Sequence, residues 1–273
     1  MQPIPTATAR VVVLGASNVA RGIGTIVDVA RETFGSPVEI IAAMGHGRSY
    51  GLTTSIPFRT LDGILHSGIW KALASRPPLP TCAVLTDIGN DLIYGCQPEK
   101  VVTWIEECVL RLRAVMQSAT DEPGDAAPGL LLTGLPLASI ERVGRLRFLV
   151  LRNALFPTSK LQLQAAQRYA LELDAAIRQL ALQHSAEFIA PSARWYGVDP
   201  IHIRVAAQRE AWRTIFSALR KNIFSAPANV RSPWREWCRI MLVRPEQCRV
   251  FFRARQVAQP AVVLRDGTSI SFY

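Results

Sequence analysis

The chain has 273 residues, 49% of them hydrophobic and 19% charged, and a formal net charge of +10. That is enough apolar sequence for one large domain, or for a domain with an appendage, yet no apolar run approaches the roughly 20 residues of a membrane span. The opening MQPIPTATARVVVLG has no basic segment followed by an apolar one, so no secretion signal is expected.

Strand-type apolar runs are expected at Arg10–Leu14, Val38–Ala42, Ala83–Thr86, Gly129–Thr133 and Glu187–Ile189. Between them lie helical patterns at Val19–Phe34, Pro98–Gln117, Ser159–His184 and Ile203–Asn222, the third with Ser159 as a candidate N-cap. Alternation of strands and helices implies a parallel sheet covered on both faces. DEPGDAAPG (Asp121–Gly129) reads as an exposed connection. After about Phe224 the alternation stops. Residues 225–273 are therefore expected to form a C-terminal extension, ending in a hairpin around Asp266-Gly267.

Cys82, Cys96, Cys108, Cys238 and Cys248 are odd in number and form no CxxC pair. Reduced thiols in a cytoplasmic protein explain this better than a disulfide framework or a zinc site. The charge is uneven, with 13 Lys/Arg against 4 Asp/Glu in Ile203–Tyr273. Such a surface is either simply solvated or drawn to an anionic partner. In the extension, arginines alternate with Trp234, Trp237, Phe251, Phe252 and Phe272. That mixture suits an interface packed on the preceding domain or on a second subunit.

The first strand runs into VVVLGASNVARGIG (Val11–Gly24). This strand, turn and helix start could cradle a dinucleotide phosphate or carry a nucleophile. Three checks disfavour the first use. Gly15, Gly22 and Gly24 are spaced three residues too widely for the short-chain dehydrogenase motif. The second strand ends in Ala42-Ala43-Met44, with neither an acid for ribose hydroxyls nor a base for a 2′-phosphate. No tyrosine is followed four places on by a lysine.

A serine nucleophile needs a base oriented by a carboxylate, and donors for the developing oxyanion. In a parallel α/β sheet these come from loops at the carboxyl ends of strands. GHGRSYG follows the second strand and offers the Gly47 N–H; TDIGNDLIYG follows the third and offers the Asn90 amide. GVDPIHIR places Asp199 and His202 three apart, on one side of a helical turn if Pro200 occupies its first positions. Each residue has a plainer use on its own: Ser17 and Asp199 as helix caps, Asn90-Asp91 as a turn.

Together the four places resemble the sequence blocks of the SGNH hydrolases, the GDSL-type esterase/lipase superfamily. The resemblance runs over about Val11–Leu219, through VLGASN, GHGRS, GND and Asp-x-x-His in that order. Ala16 stands where the family commonly has Asp. The resemblance implies a flavodoxin-like α/β/α fold with a five-stranded parallel sheet of order 2-1-3-4-5, over residues 1–224. It implies Ser17, His202 and Asp199 as a catalytic triad, and Ser17, Gly47 and Asn90 as oxyanion donors. It also implies a small-molecule ester substrate and no metal or cofactor. His46, Trp195 and Tyr196 are candidate substrate contacts, while His66 and His184 have no expected role. A non-catalytic binding protein on the same fold is the alternative.

Overall fold

The computed structural model describes residues 6–56, 59–117, 129–155, 159–219, 231–250 and 253–273. The chain opens with β1 (Arg10–Leu14), α1 (Ser17–Phe34), β2 (Glu39–Ala43), β3 (Thr54–Ile56), β4 (Arg59–Leu61) and α2 (Ile69–Ser75). It continues through β5 (Thr81–Leu85), α3 (Asn90–Ile93), α4 (Pro98–Gln117), β6 (Leu130–Thr133), α5 (Leu137–Glu141), α6 (Arg145–Leu155) and α7 (Leu163–Gln183). Then follow β7 (Glu187–Ile189), α8 (Gln208–Leu219), α9 (Trp234–Met241), β8 (Gln247–Val250), β9 (Arg253–Gln256), β10 (Val262–Val263) and β11 (Ser269–Phe272).

The first strand is Arg-Val-Val-Val-Leu because both of its faces are buried. Val11 and Val13 face α1 and α8, whereas Val12 and Leu14 face α4 and α7. The strands β2, β1, β5, β6 and β7 are parallel neighbours in that order, which is the 2-1-3-4-5 arrangement. The sheet nevertheless has seven strands rather than five. β11 adds parallel to β2, pairing Ile270 with Ile40, and β10 pairs antiparallel to β11. The physical reason is the outer edge of β2, all five of whose residues are buried; an open edge there would leave backbone groups unpaired. Ile270 and Phe272, both fully buried, complete the layer beside it.

A second sheet lay outside the sequence-based expectations. It is antiparallel, of order β3-β4-β8-β9, and joins the segment after β2 to the C-terminal region. α9 packs against α1, where the indole of Trp237 lies over Gly24. A Cβ on Gly24 would come within 2.3 Å of Trp237 Nε1. Gly22 likewise lies beneath Trp212 and Gln208 of α8. Gly22 and Gly24 are thus sites of close helix approach. Two polar ties reinforce the contact: Arg31 pairs with Asp266 at 2.6 Å, and the Ser232 N–H donates to Asp28 at 2.9 Å.

The long helix begins at Leu163, four residues later than expected, and its N-cap residue is Gln162 rather than Ser159. The last expected helix begins at Gln208, after a 3-10 turn over Val205–Ala207. The boundary expected near Phe224, the end of the helix expected at Asn222 and most of the Asp121–Gly129 connection lie outside the described residues. All five cysteines are free. Among the described residues no helix is long and apolar enough to cross a membrane.

Candidate active site

Ser17 begins α1 directly after the Gly15-Ala16 turn at the carboxyl end of β1. The first N–H groups of a helix have no partner within it. Here Asp87, at the carboxyl end of β5, takes two of them on one carboxylate oxygen, from Ala16 at 2.7 Å and from Asn18 at 3.0 Å. A negative charge at this position also complements the helix dipole. Ser17 does not cap the helix; its hydroxyl lies 2.8 Å from His202 Nε2.

His202 is held from two sides. Its Nδ1 lies 2.5 Å from Asp199 Oδ2, while Asp199 Oδ1 accepts the N–H groups of Ile201 and His202 at 3.1 and 3.2 Å. The segment is a bend rather than the helical turn expected from Pro200. Asp199 reaches His202 because its own carboxylate closes the bend, a local Asp habit. Asn18 locks this loop onto the serine turn: its Nδ2 donates to Ile201 O at 2.9 Å, and its Oδ1 accepts from Ile203 N at 2.8 Å.

The oxyanion candidates sit on neighbouring loops. Gly47 adopts φ +63°, a conformation that suits glycine. Its carbonyl accepts from Tyr94 Oη at 2.6 Å. Among the described residues the N–H groups of Ser17 and Gly47 and the side-chain amide of Asn90 have no partner inside the protein. The three loops are tied pairwise. Gly45 N donates to Ala16 O at 3.4 Å; Tyr50 N donates to Asp91 at 3.0 Å, and Ser49 donates to the same carboxylate.

Two carboxylates are tuned in opposite directions. Burial disfavours ionisation of Asp199, but the hydrogen bond and charge of His202 and two backbone N–H groups outweigh it and hold the carboxyl below the usual range. Asp91 is fully buried, and burial pushes it up to about 6 despite the bonds from Ser49 and Tyr50. His46 is exposed on the rim, where partial desolvation, then Arg59, His202 and Arg21, hold its pKa below the usual histidine value.

No protein-family model matches the chain, and no curated protein matches its sequence. Solved structures do match. A carbohydrate acetylesterase from Sinorhizobium meliloti is 17% identical with a TM-score of 0.52, over 77% of this chain and 97% of its own. Another carbohydrate acetylesterase family member from that organism is 18% identical with a TM-score of 0.50, over 77% and 96%. An aryl esterase from M. smegmatis is 16% identical with a TM-score of 0.53, over 78% of this chain and 100% of its own. The chain has the SGNH hydrolase fold.

On this SGNH fold, a cleft of about 1170 Å³, open mouth included, adjoins the serine turn. Asn18, Asp87, Asn90 and Ile201 line its near end; Ile88, Leu92, Leu135, Val143, Phe148 and Leu163 line the rest. Trp195 and Tyr196 both lie in its wall. Burial raises the Tyr196 hydroxyl well above its usual pKa, so that wall stays neutral. Asn18 and Asp87 hold the site together, yet sequence reasoning passed over both. Asp87 shows one local trace of its position, a φ of +60°, which Asp tolerates better than most residues.

Proposed function

We propose that the protein is a serine hydrolase acting on esters, with Ser17 as nucleophile, His202 as base and Asp199 as its orienting carboxylate. The observation that carries this reading is the continuous chain from Ser17 Oγ to His202 Nε2 at 2.8 Å and from His202 Nδ1 to Asp199 at 2.5 Å. The esterase fold neighbours support the same reaction class.

Ser17 Oγ attacks the ester carbonyl while His202 Nε2 takes its proton. Asp199, held ionised, fixes the imidazole with Nδ1 protonated and stabilises the imidazolium that forms. The N–H groups of Ser17 and Gly47 and the Asn90 amide receive the oxyanion, and losing one such donor typically raises the barrier by about 3–4 kcal/mol. His202 then returns its proton to the leaving alkoxide. Water, deprotonated by the same imidazole, releases the acid. The chemistry uses side chains and backbone only and requires no cofactor. The apolar cleft beside Asn90 would receive the larger apolar part of the ester.

Replacement of Ser17 tests the reading. Ser17→Ala should lower kcat on p-nitrophenyl butanoate by at least about 10³-fold with an unchanged circular dichroism spectrum. Unchanged turnover would remove Ser17 from the mechanism, and a wild-type protein that hydrolyses no ester while binding acids or amides in the cleft would indicate a binding protein.

A further inference from the structure

The wall of the cleft is also an outer surface of the molecule. α6 lines the cleft through Phe148 and Arg152, which are four residues apart and so share one face of the helix. Leu146 and Val150, each two positions from Phe148, lie on the opposite face. They are 78% and 60% exposed and do not line the cleft. The loop that carries Asp199 and His202 is built in the same way. Tyr196, Pro200 and Ile201 line the cleft, whereas Val198 and Val205 are 82% and 79% exposed. The two segments adjoin: Arg147 Nη2 donates to Gly197 O at 3.2 Å, and the Arg204 side chain passes 3.0 Å from where a Cβ on Gly197 would be. Exposed apolar side chains scattered singly need no explanation. These four stand on two adjoining segments at one edge of a substrate-sized cleft.

The charge around them is of one sign. Between Glu141 and Glu172 the chain carries five arginines, one lysine and no acid. Arg142 and Arg145 are exposed, and among the described residues neither has an ion-pair partner. Arg147 and Arg204 bond to backbone carbonyls, not to carboxylates. A nucleic acid would use these arginines but leave the leucine and valines in water. A second copy of this chain would set arginine against arginine. An anionic bilayer satisfies both features, with guanidinium groups at the level of the headgroups and the aliphatic side chains at the acyl boundary.

We propose that the outer face of α6 and the loop 197–205 form a docking surface for an anionic phospholipid bilayer. Docking sets the mouth of the apolar cleft against the lipid phase, so an apolar ligand enters it without crossing water. The inference goes beyond the ester-hydrolase reading, because attachment to the bilayer needs no turnover.

Co-sedimentation of the full chain with vesicles tests it. The probes are vesicles of dioleoylphosphatidylcholine alone and of the same lipid with about 30 mol% dioleoylphosphatidylglycerol, at about 0.1 M salt. The wild type should partition at least about tenfold more strongly onto the anionic vesicles. Leu146→Ser combined with Val150→Ser should lose at least about tenfold of that partition, and Arg142→Gln combined with Arg145→Gln a similar factor. All four positions are exposed, so both variants should keep the wild-type circular dichroism spectrum. Arg235→Gln combined with Arg239→Gln, at exposed positions of α9, is the control for unspecific attraction by a basic protein and should keep the partition. Equal partition onto both vesicles overturns the docking surface. So does binding that the Leu146 and Val150 variant retains in full, or a loss of the same size in the α9 control. Binding to duplex DNA without binding to vesicles overturns it in favour of a nucleic acid. If no ester is cleaved yet vesicle binding depends on Leu146, Val150, Arg142 and Arg145, the docking surface stands and the hydrolase reading falls.

Discussion

At the residue scale, the candidate site is a set of polar groups that each hold a neighbour in place. Asp91 shows what such holding does to a carboxyl. It is fully buried under the Gly47 loop, and burial raises it to about 6. An unfolded Asp titrates near 3.9. Between about pH 4 and 6 the folded protein therefore keeps a proton that the unfolded chain releases, and the Asp91 contribution lowers stability as pH rises across that window. The side-chain carboxyl carbon of Asp91, followed by NMR, should titrate near pH 6; a midpoint below 4 would show that the bonds from Ser49 and Tyr50 dominate over burial. Ser17, Gly47, Asn90, Asp199 and His202 were legible in the sequence because they sit in short blocks of fixed spacing. Asp87 and Asn18 were not, since their partners are 69 to 185 positions away and nothing in their local sequence marks the pairing.

At the element scale, four of the five parallel strands were legible because burial on both faces makes them nearly continuous apolar runs; β7, at the sheet edge, is a short and only partly buried Glu-Phe-Ile run. The second sheet was not legible. Its strands are three or four residues long, β9 is exposed along its length, and β4 pairs with β8, Arg59 opposite Val250, across most of the chain. The α1 and α9 contact is a third case: the spacing of Gly22 and Gly24 did not fit a phosphate motif, and the structure shows both glycines used for close helix packing. Gly24→Ala tests that explanation. Alanine gains up to about 1 kcal/mol in helix propensity, whereas a Cβ at 2.3 Å from the Trp237 indole forces a shift of the kind that costs about 1–3 kcal/mol. Trp237 is stacked on Trp234, with centroids 5.4 Å apart, so the ring does not move alone. The expected outcome is a lower melting temperature and altered Trp fluorescence; a higher melting temperature would show that the close approach is unimportant.

At the scale of the whole molecule, the C-terminal region is part of the central sheet. Val262, Leu264, Ile270, Phe272 and Tyr273 are buried. Arg76 connects Glu39 of β2 to Ser271 and Tyr273. Arg48, on the Gly47 loop, donates to Tyr273 O. Burying one large apolar side chain contributes about 1.5–3 kcal/mol, so removing five costs an amount comparable to the whole margin of an ordinary domain, about 5–15 kcal/mol. Deletion of residues 231–273 should therefore give insoluble or unfolded protein although Ser17, Asp199 and His202 all remain. A truncated protein with an unchanged melting temperature and unchanged ester turnover would show that the region is dispensable. How this region folds back was only partly legible: the Asp266-Gly267 turn is a local signal, but pairing of β11 with β2 depends on an edge created 230 positions earlier.

The central claim is that Ser17 is an activated nucleophile. Serine hydroxyls without a paired base do not react with a fluorophosphonate, so intact-mass and peptide mass spectrometry after brief exposure test the claim most directly. The predicted result is one adduct per chain, on the peptide containing Ser17, absent in Ser17→Ala and at least about 100-fold slower in His202→Ala. An unlabelled wild-type protein, or an adduct on a different serine, would contradict it.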